Sequence, residues 1–145
     1  GLIIKPVMDR SLIESILFHP VIFDSISEDG AQQHIPHGHY IGGFVDDVCV
    51  GIVLVNFLSK NVADVHVQVL PEHRKAHALD FGLAAREWLF DAGLTKLLAQ
   101  IPFCCENVKN FALKIGFEVE GVNRKRWLKN GQFWDSWYLG CLRGK

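Results

Sequence analysis

Asp64 and His66 are the residues of this chain best placed to move a proton. They lie in Ala63-Asp-Val-His-Val-Gln-Val69, where Val65, Val67 and Val69 alternate with Asp64, His66 and Gln68. A period of two is the pattern of a strand, so the carboxylate and the imidazole project from one face of it. Imidazole is the side chain whose ordinary charge change falls near neutrality, which makes the pair a candidate for catalytic acid–base work. Pro71 withdraws a backbone donor and should end the strand. His73, Arg74, Lys75 and His77 follow at once. They lead into a segment with Leu79, Leu83, Trp88 and Leu89 at helical spacing and Asp80, Glu87 and Asp91 on the opposite face. Positive charge at a helix start opposes the helix dipole, whereas free N–H groups there suit phosphate oxygens. The stretch from Asp64 to Trp88 therefore predicts a strand, a cationic turn that takes an anion, and a helix, with the rest of the chain arranged around them.

Other reactive residues carry less. His34, His37 and His39 fall within six positions, and His-x-His on extended chain can put both rings on one side. A metal there would need Glu28 or Asp29 as a further ligand, so a surface loop with no metal is expected, its histidines free to touch a substrate. Cys104 and Cys105 sit in an apolar context without a partnered histidine, which favours burial over nucleophilic chemistry. With Cys49 and Cys141 they form no CxxC pair, and a reducing compartment follows. Trp127, Phe133, Trp134 and Trp137 crowd the last part of the chain. Alternation along strands should leave some of these rings exposed, as a homodimer or substrate surface.

Elements that position these groups can be read in order. The 145 residues, 49% of them hydrophobic, suffice for one domain over 1–145 with one real core. A net charge of -1 gives no global attraction to nucleic acid, and no apolar run reaches membrane-spanning length, so a soluble cytoplasmic protein is expected. Leu2 to Val7 predicts a first strand, and Ser11 with Glu14 a capping box for a short helix to Phe18. Pro20 suits the first turn of a second helix to Ile26, and a polar loop follows. Tyr40 to Val45 and Val48 to Leu58 read as strands joined at Asp46-Asp47, with Lys60-Asn61 turning into the Asp64 strand. Gly93 should stop the central helix, with Lys96 to Ile101 returning as a strand. Pro102 to Asn107 is a connection to a helix over 108–115 that Gly116 closes. Strands Phe117 to Leu128 and Gln132 to Leu142 meet at Asn130-Gly131. The order β-α-α-β-β-β-α-β-α-β-β defines an α/β (α+β) domain with a mixed, mostly antiparallel sheet flanked by helices.

That order, with Val69-Leu-Pro71 and a basic segment opening a long helix, resembles the GCN5-related N-acetyltransferase (GNAT) fold. Asn107, Asn110-Phe-Ala-Leu-Lys-Ile-Gly-Phe117, Glu120-Gly121, Arg124, Gly131, Asp135 and Tyr138 resemble the ending of its ribosomal-protein and spermidine acetyltransferase branch. The resemblance implies an acetyltransferase using acetyl-CoA (coenzyme A) and an amine acceptor, with no covalent enzyme intermediate. It implies that Val67 and Val69 offer strand backbone to the pantetheine arm, that Arg74, Lys75, Ala76, His77, Ala78 and Leu79 form the pyrophosphate turn, and that Asn107 contacts the cofactor. Asp64 falls where relatives often carry a glutamate base. The family's two small turn positions are not kept, so His77 either crowds a phosphate or contacts one. Ala112 stands at the place of the tyrosine that many relatives use as general acid. The competing expectation is a noncatalytic domain of the same fold, such as a phage-encoded accessory protein, with a degenerate cofactor site and a role in assembly.

Overall fold

Two pairs of left-handed residues close the hairpins of this chain that span Val45 to Val48 and Lys129 to Gln132. Asp46 and Asp47 have φ of 49° and 67°, and Asn130 and Gly131 have 54° and 74°, the conformation of two-residue turns whose twist matches the strands they join. The computed structural model describes all residues from Gly1 to Lys145. Its elements are β1 (Leu2–Pro6), α1 (Arg10–Leu17), α2 (Pro20–Ile26), β2 (His39–Val45), β3 (Val48–Phe57), β4 (Val62–Val69), α3 (Pro71–Asp91), β5 (Lys96–Pro102), α4 (Glu106–Lys114), β6 (Glu118–Lys129) and β7 (Gln132–Leu142). The order is the one the sequence predicts. The seven strands form one sheet in the order β1-β2-β3-β4-β5-β7-β6. Every neighbouring pair is antiparallel except β4 with β5.

Burial divides the two faces of the sheet. On one face α1 and α2 bury Ile13, Ile16, Leu17 and Ile22 against Val7, Tyr40, Ile52 and Leu54. On the other, Phe81, Ala85 and Leu89 of α3 recur every fourth residue and pack on Val53, Val55, Val65 and Leu97. Phe81 is fully buried, and its ring fills the space that side chains at Gly43 and Gly51 would need. Those two glycines face each other across β2 and β3. Their missing side chains let α3 approach the sheet, a packing requirement that periodicity alone does not reveal.

Three local expectations are corrected. Asp9, not Ser11, caps α1: its carboxylate accepts from the Leu12 N–H at 3.2 Å, while Glu14 pairs with Arg10 at 3.1 Å. Asp is among the best capping residues, and Asp9 keeps the extended backbone that a cap needs. Leu79 lies outside the core, 46% exposed, because the buried stripe of α3 runs through Phe81, Ala85 and Leu89, which Leu79 does not share. Finally α4 begins at Glu106, so Asn107 belongs to its first turn instead of the connection before it.

Candidate active site

Strand β4 is paired on both sides for only part of its length. On the β3 side its ladder runs from Ala63 opposite Phe57 to Val69 opposite Gly51. On the β5 side it covers only Val62 to Asp64, opposite Lys96 to Leu98, after which the two parallel strands separate. Beyond Asp64, β5 continues to Pro102 paired with β7 alone. The result is a wedge in the sheet, open toward the carboxyl ends of two parallel strands, where open α/β sheets characteristically take ligands. Because the Leu70 N–H points to Val50 on β3 at 3.0 Å, the alternation of an extended chain turns the N–H groups of Val67 and Val69 into the wedge. They form a partly unpaired edge inside the protein, the kind that an extended ligand can complete.

Asp64 and His66 stand at the narrow end. Asp64 is the last residue of the parallel ladder, and its Oδ2 lies 2.8 Å from His66 Nε2. With the carboxylate side chain 28% and the imidazole 46% exposed, both remain reachable by solvent. An N–H on Nε2 directed at the carboxylate leaves the Nδ1 lone pair free, so the arrangement is that of an oriented base. The sequence-predicted pair is thus brought into direct contact. Beside it, on the same sheet face, an open groove of about 540 Å³ is lined by Asn56, Asp64, Leu98, Gln100, Glu120 and Tyr138 among others. No residue of α1 or α2 lines this groove.

At the wide end the sequence reading needs correction. Arg74 to Leu79 do not form a turn: α3 starts at Pro71, and all six residues are helical. Proline at the first helical position presets the backbone, and no glycine follows before Gly82 to interrupt it. The His73 N–H already donates to the Leu70 carbonyl at 2.9 Å, and amides further along lie in the helix interior. Free backbone donors are therefore few, and cationic side chains remain. Arg74 Nε donates to the Val69 carbonyl at 3.0 Å, which holds its charge at the mouth of the wedge. Lys75 is exposed, and the rings of His73 and His77 lie 6.0 Å apart on one face of α3. Ala76 and Leu79 are exposed, whereas Ala78 packs against the core. Helix α4 follows β5 as α3 follows β4, so Asn107, exposed in its first turn, lies at the same end of the sheet.

The remaining candidates are placed elsewhere. His39 packs edge-on against Phe57 at 5.2 Å, His34 contacts the Gln32 carbonyl, and the loop histidines do not gather with carboxylates or thiols. Burial pushes the Cys105 thiol up to about 11, with adjoining Cys104 adding to the shift, so it is a poor thiolate nucleophile. Trp137 is covered, stacked on Phe103 at 4.2 Å with Lys109 over its ring, while Phe133 is 57% exposed. A second groove of about 450 Å³, between α2 and Lys129, offers carboxylates that are already engaged: Asp24 with Lys129, Asp29 with the Asn130 and Gly131 amides, Glu28 with that of Leu128.

Glu120, part of the family-like ending in the sequence, is given no role there. Glu120 is the extra residue of a bulge in β6, where Val119 faces Leu139 and Gly121 faces Tyr138. The bulge swings its carboxylate across β7 onto Gly140, where a side chain would overlap it, and into a 2.8 Å ion pair with Lys96. Gly121 next to Glu120 was the only hint available.

No family model matches this chain, and no curated protein does. Among solved structures it superposes on spermidine N-acetyltransferase from Vibrio cholerae in complex with CoA and spermine with a TM-score of 0.83, at 16% identity, over 99% of this chain and 96% of that one. An acetyltransferase of the GNAT family from Streptococcus pneumoniae gives 0.70 at 16% identity, over 99% and 100% of the two chains. Ribosomal-protein-alanine N-acetyltransferase from Brucella melitensis gives 0.62 at 14% identity, over 72% and 68%. The chain has the GNAT fold over its whole length. No helix in it is long and apolar enough to cross a membrane.

Proposed function

We propose that this protein is an acyl-CoA-dependent N-acetyltransferase that transfers the acetyl group of acetyl-CoA to an amine by direct attack. The observation that carries the reading is the wedge beside β4, with the N–H groups of Val67 and Val69 turned into it. A pantetheine arm carries amides at the spacing needed to complete such an edge, and the Vibrio cholerae neighbour of the same fold is in complex with CoA. Where that arm leaves the wedge it meets Arg74, Lys75 and His77, and these side chains take the pyrophosphate in place of the backbone amides that the helix consumes. Ala76, Ala78 and Leu79 line the same turn of α3, and Asn107 flanks it from α4.

The narrow end supplies the proton chemistry. His66 Nδ1 accepts the proton of the attacking amine, and Asp64 is the positioning residue that holds the ring and stabilises its charged form. Once the ammonium has released a proton to solvent, a bond forms between the neutral amine nitrogen and the thioester carbonyl carbon, the carbon–sulfur bond breaks, and the departing thiolate takes up a proton from solvent. A β4 amide facing the wedge is placed to stabilise the oxyanion. All four cysteines are free, as suits direct transfer in a reducing cytoplasm.

The test is thiol release from acetyl-CoA with a panel of primary amines. Amine-dependent release that falls in the His66→Ala variant supports the reading. No release with any amine, together with no thermal stabilisation by millimolar acetyl-CoA, would sink it and leave an assembly domain of this fold.

A further inference from the structure

We infer that the Lys96–Glu120 ion pair sets which amines the groove accepts, admitting acceptors with a single positive charge and denying dications a second anchor. The inference rests on the acetyltransferase reading, since it identifies the groove beside Asp64 and His66 as the place where the acceptor lies.

Glu120 is positioned by two features that a plain hairpin would lack. The bulge at Val119–Gly121 aims the side chain inward over β7, and Gly140 leaves the space in which the carboxylate rests. It lies on the sheet face of Asp64, because Gly140 pairs with Leu98, and Leu98 with Asp64. The groove thus contains two carboxylates, one at its reacting end and one across β5 and β7. Asp64 is committed to His66. Glu120 Oε1 accepts from Lys96 Nζ at 2.8 Å, and Lys96 also shares this face, two residues from Leu98. The far end of the groove is therefore close to neutral, and its other polar groups are the amides of Asn56 and Gln100 and the phenol of Tyr138.

A dication would place its second ammonium beside an ion pair whose charges cancel, gaining little for the water it loses. An amine with an uncharged body loses less and can lie along the apolar Leu98, Ala99 and Leu139. Arithmetic on a half-exposed pair puts the discrimination at roughly fivefold for each charge restored or removed.

Amide NMR titration of the full chain with butylamine and with putrescine tests this without cofactor. The wild type should bind the two within about twofold, the statistical advantage of a molecule with two identical ends. Lys96→Met, which frees the carboxylate, should shift the ratio roughly fivefold toward putrescine, and Glu120→Gln, which leaves Lys96 unpaired, roughly fivefold toward butylamine. Perturbed amides should include those of Asp64, Leu98 and Tyr138. A tenfold preference of the wild type for putrescine, an unchanged ratio in both variants, or no perturbation of the groove by either amine overturns the inference. Failure of acetyl-CoA to bind would remove the transferase reading while these ratios stayed measurable, so the two failures are distinguishable.

Discussion

The two ends of the wedge beside β4 carry opposite charge. Its narrow end holds the Asp64 carboxylate, next to a groove whose far end the Lys96–Glu120 pair leaves close to neutral; its wide end holds Arg74 and Lys75, with His73 and His77 beside them. An acetyl donor with a pyrophosphate and an acceptor that arrives as a cation would be sorted to the correct ends by this difference, before any specific contact forms. The ends also differ in construction. The narrow one is built on paired strands, with side chains held by ladder register. The wide one is built on a helix start, where the charge sits on flexible side chains and the backbone contributes little.

Removing the ring that seats α3 on the sheet, and with it the cationic end of the wedge, should have the largest effect. Phe81→Ala empties the space over Gly43 and Gly51, which cannot collapse around it, and should cost about 3–5 kcal/mol in urea unfolding. A cost below about 1 kcal/mol would show that α3 does not depend on that ring. The next effect separates the two ends: His66→Ala should lower kcat about 100-fold while leaving acetyl-CoA affinity unchanged. Equal loss of affinity would mean that the two ends do not act separately. Lys75→Ala should do the reverse, weakening acetyl-CoA about fivefold, less at high salt, with kcat preserved. Calorimetry at two ionic strengths measures it, and a salt-independent loss would assign Lys75 a packing role.

The smallest effect concerns the tie between the hairpin tip and the loop after α2. Backbone N–H groups of Gly131 and Asn130 hold the Asp29 carboxyl below its usual 3.8. A depressed folded value means that its contribution is fully present above the ordinary value and is lost as pH falls through the folded one. Asp29→Asn should therefore be less stable than wild type at neutral pH, with the difference closing in acid. A gap in melting temperature that stays constant down to acid pH would rule out the charge as the source.

Element order was legible because each boundary had a local cause: Pro20 and Pro71 at helix starts, Gly93 and Gly116 at helix ends, Asp46-Asp47 and Asn130-Gly131 at hairpins. That Asp64 and His66 share a face was legible for the same reason, since period two places them there, whereas their 2.8 Å contact comes from the structure. What the sequence hid depends on partners distant in the chain. The parting of β4 from β5 is a property of two strands separated by a long helix. Phe81 buries itself where Gly43 and Gly51 make room, and Glu120 reaches Lys96 through a bulge whose register is fixed by β7. The helical state of Arg74 to Leu79 was misread for another reason. A family resemblance suggested a pyrophosphate turn, while the residues actually present, Lys75-Ala-His-Ala-Leu79, have nothing that breaks a helix.

Hydrogen exchange at β4 tests the account most directly. With saturating acetyl-CoA, the amides of Val67 and Val69 should become strongly protected, while those of Gln68 and Leu70, already directed at β3, change little. Unaltered exchange at Val67 and Val69 under conditions where acetyl-CoA demonstrably binds would place the ligand elsewhere and contradict the wedge as its site.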